Sequence, residues 1–113
     1  MVLVKGKLVE NLATNIPNPR SAIGLSSNGR LLVFMVVDGR QPGYSEGVTF
    51  AELADLLASF GAYTGINMDG GGSSALVIRG IDKKPRVLNS PIDQGIPGKQ
   101  RAVANHLGIF IWK

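Results

Sequence analysis

The residues whose types and spacing could do chemistry are concentrated in one short stretch, Asp69-Gly70-Gly71-Gly72-Ser73-Ser74. An acid is followed by three glycines and two hydroxyls, and apolar runs stand on both sides. Glycine lets the backbone come close to a ligand, and glycine-rich turns can direct several N–H groups at one anion. The stretch therefore indicates an anion-binding turn. A plain tight turn capped by Asp69 stays open as the alternative, because short glycine motifs often occur by chance.

Other polar residues stand where apolar runs begin or end. These are Arg20, Asp38, Arg40, Asn89, Ser90, Asp93, Arg101, Asn105 and His106. If a sheet gathers those ends, it forms a pocket that holds carboxylates and arginines. Arginine suits phosphate because its planar fork can donate two parallel hydrogen bonds. The pattern therefore predicts a site for a phosphorylated ligand.

Several of these residues have a simpler explanation that also stays open. Asp38 and Asn89 could begin or cap turns, and Arg40 could be a solvated loop charge. His106 is the single histidine and lies in an apolar segment. A satisfied buried or half-buried histidine is more typical there than a catalytic one.

The elements that must position these residues are predicted from hydrophobic periodicity. The helix is expected over Thr49–Phe60, with a capping box formed by Thr49 and Glu52 and a stop at Gly61. Strands are expected at Val2–Val9, Arg20–Leu25, Leu31–Val37, Tyr63–Met68 and Ala75–Ile78. Val2–Val9 is expected to be an edge strand and Leu31–Val37 the best core strand. Arg101–Trp112 is expected to close the sheet.

The connections are predicted from their turn residues. Hairpins are expected at Ser26–Gly29, where Asn-Gly marks the turn, and around Ile81–Pro85. The polar segments Asp38–Gly47 and Asn89–Gln100 are expected to be loops, and long loops are often functional.

Composition sets the class of protein. The chain has 113 residues, 44% of them hydrophobic and 18% charged, which is typical of one globular domain. It has no cysteine, so disulfides and thiolate metal sites are excluded. The net charge of +4 is spread along the chain without interleaved aromatics, which favours small anionic ligands over nucleic acid. No membrane partner is expected, since no run of 18 apolar residues occurs.

The first residues lack the features of a signal peptide. We therefore expect a cytoplasmic protein, or an exported one if the chain was cut from a longer precursor.

Five motifs, taken together and in order, resemble the phosphodiester glycosidase family, to which the lysosomal uncovering enzyme, N-acetylglucosamine-1-phosphodiester α-N-acetylglucosaminidase, belongs. They are Asn18-Pro19-Arg20-Ser21-Ala22-Ile23-Gly24, Val37-Asp38-Gly39-Arg40, Asn67-Met68-Asp69-Gly70-Gly71-Gly72-Ser73-Ser74, Leu88-Asn89-Ser90-Pro91 and Arg101-Ala102-Val103-Ala104-Asn105-His106-Leu107-Gly108. The resemblance runs from about Asn18 to the end of the chain.

The resemblance implies an α+β fold, with a mixed or antiparallel sheet and one main helix. It implies a single domain over residues 1–113 that is short at its N-terminus relative to the family, since 17 residues precede the Asn18 motif. A shortened sheet leaves an unpaired edge, and such edges are usually paired or covered. We therefore expect a homodimer or a higher homo-oligomer.

The resemblance also implies hydrolysis of a glycosidic bond to phosphate in a sugar-1-phosphodiester or nucleotide-sugar. Glycoside hydrolysis normally uses two carboxyl groups, and Asp38 and Asp69 are the predicted pair. The predicted substrate-binding residues are Arg20, Arg40, Gly70, Gly71, Gly72, Ser73, Ser74, Asn89, Arg101 and Asn105. No cofactor or metal ligand is required, although Asp69 could equally hold a divalent cation with backbone carbonyls. The alternative function is a non-catalytic module that sequesters a phosphorylated sugar or nucleotide.

Overall fold

A computed structural model describes residues 1–10, 16–104 and 106–111 as antiparallel strands with one α-helix. The predicted α+β class is confirmed. The elements are, in chain order, β1 (Leu3–Val4), β2 (Lys7–Leu8), β3 (Arg20–Leu25), β4 (Leu32–Val37), α1 (Phe50–Ser59), β5 (Thr64–Gly70), a 3₁₀ turn (Gly71–Ser73), β6 (Val77–Arg79), β7 (Pro85–Val87), β8 (Ile92–Asp93) and β9 (Ile96–Pro97).

The main sheet has five strands in the order β2-β1-β5-β3-β4, and every neighbouring pair is antiparallel. β4 and β5 therefore run parallel to each other on the two sides of β3. Their C-terminal ends both reach the beginning of β3, where Arg20 pairs with Val37 on one side and with Gly70 on the other. This end of the sheet brings together the motifs that begin at Asn18, Val37 and Asn67.

Helix α1 begins and ends where its sequence predicts. The hydroxyl of Thr49 accepts a hydrogen bond from the backbone N–H of Glu52 at 3.2 Å, and the Glu52 carboxylate accepts one from the N–H of Thr49 at 3.0 Å. The backbone hydrogen bond from Thr49 holds the pKa of Glu52 below its usual value. The helix ends before Gly61, which has a φ of 98°.

The core lies between α1 and one face of the sheet. Its buried members are Val2, Leu3, Ala22, Leu53, Ala54, Leu57 and Ala62. On β3 the buried residues alternate, so that every second side chain faces the helix. The other face of the sheet is not covered by the helix. There Ile23 lies between Phe34 and Ile66, and Ile66 and Met68 are 41% and 45% exposed.

Residues 31–37 do not form the core strand that the sequence predicts. β4 lies at the edge of the sheet, and its side chains are exposed or half-buried. Val33, Met35 and Val37 pack against the core, while the alternate residues face away from it. A strand that is apolar on both faces has the sequence pattern of a central strand. Here, however, only one face of β4 packs against the helix.

Both ends of the chain also differ from the prediction. Val2–Val9 contains two short strands joined at Lys5 and Gly6, both with positive φ, rather than one edge strand. The described residues of Arg101–Trp112, which are 101–104 and 106–111, contain no strand, so they do not close the sheet. Apolar composition favoured a strand there, but no neighbouring strand pairs with it. No helix in the described ranges is long and apolar enough to cross a membrane.

We expect Thr49→Ala to lower the free energy of unfolding by about 1 kcal/mol, because the cap satisfies an N–H group that the helix leaves unpaired. Thr49→Ser keeps the hydroxyl and is the matched control. Urea unfolding followed by circular dichroism measures both. Equal midpoints for the alanine and serine variants would contradict this role of the cap.

Candidate functional site

A β-bulge directs Asp69 out of the regular pattern of the sheet. Between β3 and β5, Ala22 pairs with Asn67 and Arg20 pairs with Gly70, so Met68 and Asp69 together oppose Ser21. The Ser21 hydroxyl donates a hydrogen bond to the carbonyl oxygen of Asp69. Met68 and Asp69 consequently line the same cavity, although they are adjacent in sequence.

The three glycines form the turn after this bulge, and two guanidinium groups lie against them. Gly71 has a φ of +58°, and a Cβ built on it would lie 3.2 Å from Nη1 of Arg40. A Cβ on Gly72 would lie 3.0 Å from Nε of Arg101 and 2.8 Å from Oδ1 of Asp93. Any larger residue at these two positions would displace the arginines.

Two donors of this turn have no hydrogen-bond partner among the described residues. One is the backbone N–H group of Gly72, whereas the N–H group of Ser73 belongs to the hydrogen-bond pattern of the 3₁₀ turn. Ser73 is half-buried and lines the cavity. Ser74 is 1% exposed, and its buried hydroxyl also has no partner in the described part of the chain. A buried polar group without a partner is costly, so these groups are features that a bound anion or water would satisfy.

The cavity has a volume of about 650 Å³ and lies on the face of the sheet opposite the helix. This volume is within the usual range for small-molecule sites. Its walls come from the sheet (Ser21, Ala22, Ile23, Phe34, Met35, Val36, Met68 and Asp69), from the segment after the glycine turn (Ser73, Ala75, Leu76 and Val77), and from the C-terminal segment (Gln100, Arg101, Val103, His106 and Leu107).

Asp69 and Arg101 are the charged side chains of this cavity. The Asp69 carboxylate is exposed and makes no hydrogen bond or ion pair with the described residues. Arg101 donates from Nε to Oδ1 of Asp93 at 3.0 Å. Its terminal nitrogens make no hydrogen bond within the described ranges, so Asp93 holds the guanidinium in place while both terminal nitrogens stay available.

Asp38 reaches the same end of the sheet as Asp69 but is not among the residues that line this cavity. Its carboxylate accepts hydrogen bonds from the Asn89 side chain at 3.0 Å, from the Ser90 N–H at 3.0 Å and from the Tyr44 hydroxyl at 2.6 Å. The hydrogen bond to Asp38 raises the pKa of Tyr44. Asp38 therefore joins the loop after β4 to the segment around Ser90.

Asn89 extends this connection to the glycine turn. Its amide also donates to the carbonyl of Ser74 at 2.7 Å, and its Oδ1 accepts from the N–H of Leu76 at 2.8 Å. All of its described bonds are internal, so Asn89 holds the segment that follows the turn.

The structure does not bring the three predicted arginines to one anion site. Arg20 is 5% exposed and lies on the helix face, because side chains alternate along β3. It donates from Nε to the carbonyl of Val48 at 2.6 Å and from Nη2 to that of Ile16 at 3.1 Å, and it stacks 3.8 Å from the ring centroid of Phe50. Burial lowers the pKa of this guanidinium.

Arg40 is exposed and lies beside the turn, outside the walls of the large cavity. It donates from Nε and Nη2 to Oδ1 of Asn18, at 3.2 and 3.1 Å. It also lines a shallower depression of about 290 Å³ with Pro17, Gln41 and Glu46. Arg40 and Arg101 thus contact neighbouring glycines of one turn but face different cavities.

Sequence reasoning predicted Arg101 in the C-terminal wall but missed the other residues of that wall. His106 is exposed and lines the cavity, so the expectation of a buried or half-buried histidine is wrong. Gln100 also lines the cavity and was not singled out. The Pro97-Gly98-Lys99-Gln100 stretch, which is poor in strand formers, was the available signal that a loop continues here. Asn105 lies outside the described residues, and its predicted role stays a prediction.

No group of three or more His, Cys, Asp or Glu side chains that could hold a metal occurs in residues 1–10, 16–104 and 106–111. A divalent cation at Asp69 would therefore depend on backbone carbonyls for most of its ligands.

Comparison with known proteins places these features in context. A family model described as phosphodiester glycosidase matches residues 1–110, which begins earlier than the motifs recognised from Asn18 onward. A relative, the SPbeta prophage-derived uncharacterized protein YomE of Bacillus subtilis (strain 168), is 36% identical over 95 residues. The match covers 84% of this chain and 13% of that protein, so the chain spans a small part of its relative's length.

We expect Arg20→Lys to lower the free energy of unfolding by about 1–3 kcal/mol, because lysine cannot reproduce the stacking and both buried hydrogen bonds. Arg30→Lys, at an exposed turn, is the matched control and is expected to change it by less than about 0.5 kcal/mol. Urea unfolding measures both variants. The assignment fails if the two variants unfold at the same midpoint.

Proposed function

The chain belongs to the phosphodiester glycosidase family, and from that premise we propose that it hydrolyses the glycosidic bond to phosphate in a sugar-1-phosphodiester or related nucleotide-sugar. The observation that carries the proposal is one cavity lined by both the free carboxylate of Asp69 and the guanidinium of Arg101. The carboxylate can act at an anomeric carbon, and the guanidinium can bind a phosphate.

The phosphate is held at the glycine turn. Arg101 offers its two terminal nitrogens there, since Asp93 occupies only Nε. The unpaired N–H group of Gly72 lies beside it and can donate to the same anion. Charge-assisted hydrogen bonds of this kind are about twice as strong as neutral ones, so they supply both affinity and orientation.

Asp69 acts at the anomeric carbon, either as the nucleophile or as the base that activates water. The bond between the anomeric carbon and the phosphate oxygen breaks, and the phosphate leaves with the electron pair. Water supplies the hydroxyl group of the free sugar, either by direct attack or by hydrolysing a glycosyl ester formed on Asp69. A phosphate monoester has a second pKa of about 6, so the leaving group needs little protonation. One carboxylate in the cavity is then sufficient for the reaction, and Arg101 stabilises the departing charge.

Asp38 is given a positioning role in this proposal. It orients Asn89, which in turn holds the carbonyl of Ser74 beside the glycine turn.

One observation favours the alternative of a non-catalytic module that sequesters its ligand: of the two predicted carboxylates, only Asp69 lines the large cavity. An assay distinguishes the two functions, because an enzyme releases free sugar whereas a sequestering module binds intact ligand in stoichiometric amounts.

We expect Asp69→Asn to lower kcat on the order of 10²–10⁴-fold on a panel of UDP-sugars and glycosyl-1-phosphate methyl esters, measured as free sugar. The bulge survives, because Ser21 bonds to the backbone carbonyl of residue 69 and not to its side chain. Asp55→Asn, on the exposed side of α1, is the matched control and keeps full activity. Turnover by the Asp69→Asn protein at the rate of the control would overturn the assignment.

We expect Arg101→Lys to weaken the binding of inorganic phosphate and of substrate by about tenfold or more, because lysine keeps the charge but loses the planar fork. Arg86→Lys, on the exposed strand β7, is the control and leaves affinity unchanged. Calorimetric titration at fixed ionic strength measures both variants. Equal affinities would remove Arg101 from the phosphate site.

A further inference from the structure

The cavity is polar only where it meets the glycine turn. Ser21 and Asp69 lie at the bulge, at the beginning of β3. Two residues further along β3, about 7 Å away, Ile23 lies beside Phe34 of β4. The wall therefore changes from polar to apolar along the direction of the strand.

The opposite wall continues the same apolar surface. Val77, Val103 and Leu107 line the cavity and are 49%, 44% and 63% exposed. Met68, beside Asp69, is 45% exposed. Contiguous exposed apolar side chains rimmed by polar groups mark binding sites. A ligand that carries only hydroxyl groups would leave these side chains in contact with water.

We propose that the substrate is an amphiphile, in which the phosphate lies at Arg101 and an alkyl or aryl group attached through that phosphate lies on the sheet face of Ile23 and Phe34. The inference rests on the proposed function for the position of the phosphate. It deepens that function by naming the class of the group on the far side of the phosphate.

The positive charge at the polar end of the cavity favours an anionic amphiphile over a second copy of the chain. The two terminal nitrogens of Arg101 are unpaired donors within the described ranges, and Arg101 lines the cavity. An apolar protein segment would cover the sheet but would leave these donors buried without acceptors, which is costly. An anionic head with an apolar tail satisfies both parts of the wall.

The test uses methyl, butyl and hexyl phosphate in calorimetric titrations at fixed ionic strength. Affinity is expected to increase by up to about fourfold for each methylene that leaves water. Phe34→Ala and Leu107→Asn should each reduce the ratio of hexyl to methyl affinity. Leu107 lies outside the strands, so its variant tests the wall even if Phe34→Ala fails to fold.

Two control variants separate the contribution of the alkyl chain from that of the phosphate. Phe60→Ala, at the exposed end of α1 and away from the cavity, should keep the ratio of affinities. Arg101→Gln should weaken the binding of all three phosphates and keep the ratio. The inference is overturned by equal affinities for the three phosphates, by no binding of any of them, or by a ratio that Leu107→Asn leaves unchanged.

Light scattering at the titration concentration tests whether a second copy of the chain covers this face of the sheet. A mass of twice 11.9 kDa together with equal affinities would mean that a second copy covers the face, which overturns the inference. The alkyl phosphates contain no glycosidic bond, so their binding is independent of turnover. Chain-length dependence without sugar release would refute only the hydrolysis, whereas sugar release without chain-length dependence would refute only the amphiphile.

Discussion

The buried guanidinium of Arg20 is the interaction on which the rest of the structure depends. A charge that is 5% exposed is tolerated only when it is well paired, and Arg20 binds two backbone carbonyls and the face of Phe50. Those partners belong to the loop before β3 and to the beginning of α1. The same residue pairs in the sheet with Val37 and Gly70, from which the Asp38 loop and the glycine turn begin. Arg20 thus fixes the origins of the Asp38 loop and of the glycine turn without lining the large cavity.

The single helix determines where the site can be. It covers one face of a five-stranded sheet and leaves the other face, with Ile23 and Phe34, open to a cavity. The bulge opposite Ser21 then brings Asp69 to that open face beside Met68. A regular ladder would direct adjacent residues to opposite faces, so the extra residue of the bulge is what makes the carboxylate available to a ligand.

The glycine turn connects two guanidinium groups to the surrounding loops. Gly71 and Gly72 admit the guanidinium groups of Arg40 and Arg101, and each of these side chains is fixed by a further partner, Asn18 or Asp93. A preorganised guanidinium loses little freedom when it binds an anion, which is why such fixed groups are effective at phosphate sites. The chain supports this arrangement with short strands and internal side-chain bonds rather than with disulfides.

Local chemistry by itself determined the helix with its Thr49–Glu52 box, the strand at Arg20 and the position of the glycine turn. These features depend on neighbours a few residues apart, so sequence patterns report them. Only the tertiary structure decided that β4 is an edge strand, that Arg20 faces the helix, that Asp38 bonds to Asn89, and that His106 lines a cavity instead of extending the sheet. Each of these depends on which distant segment lies opposite a residue, since pairing, burial and the bulge at Asp69 arise between segments that no local pattern joins.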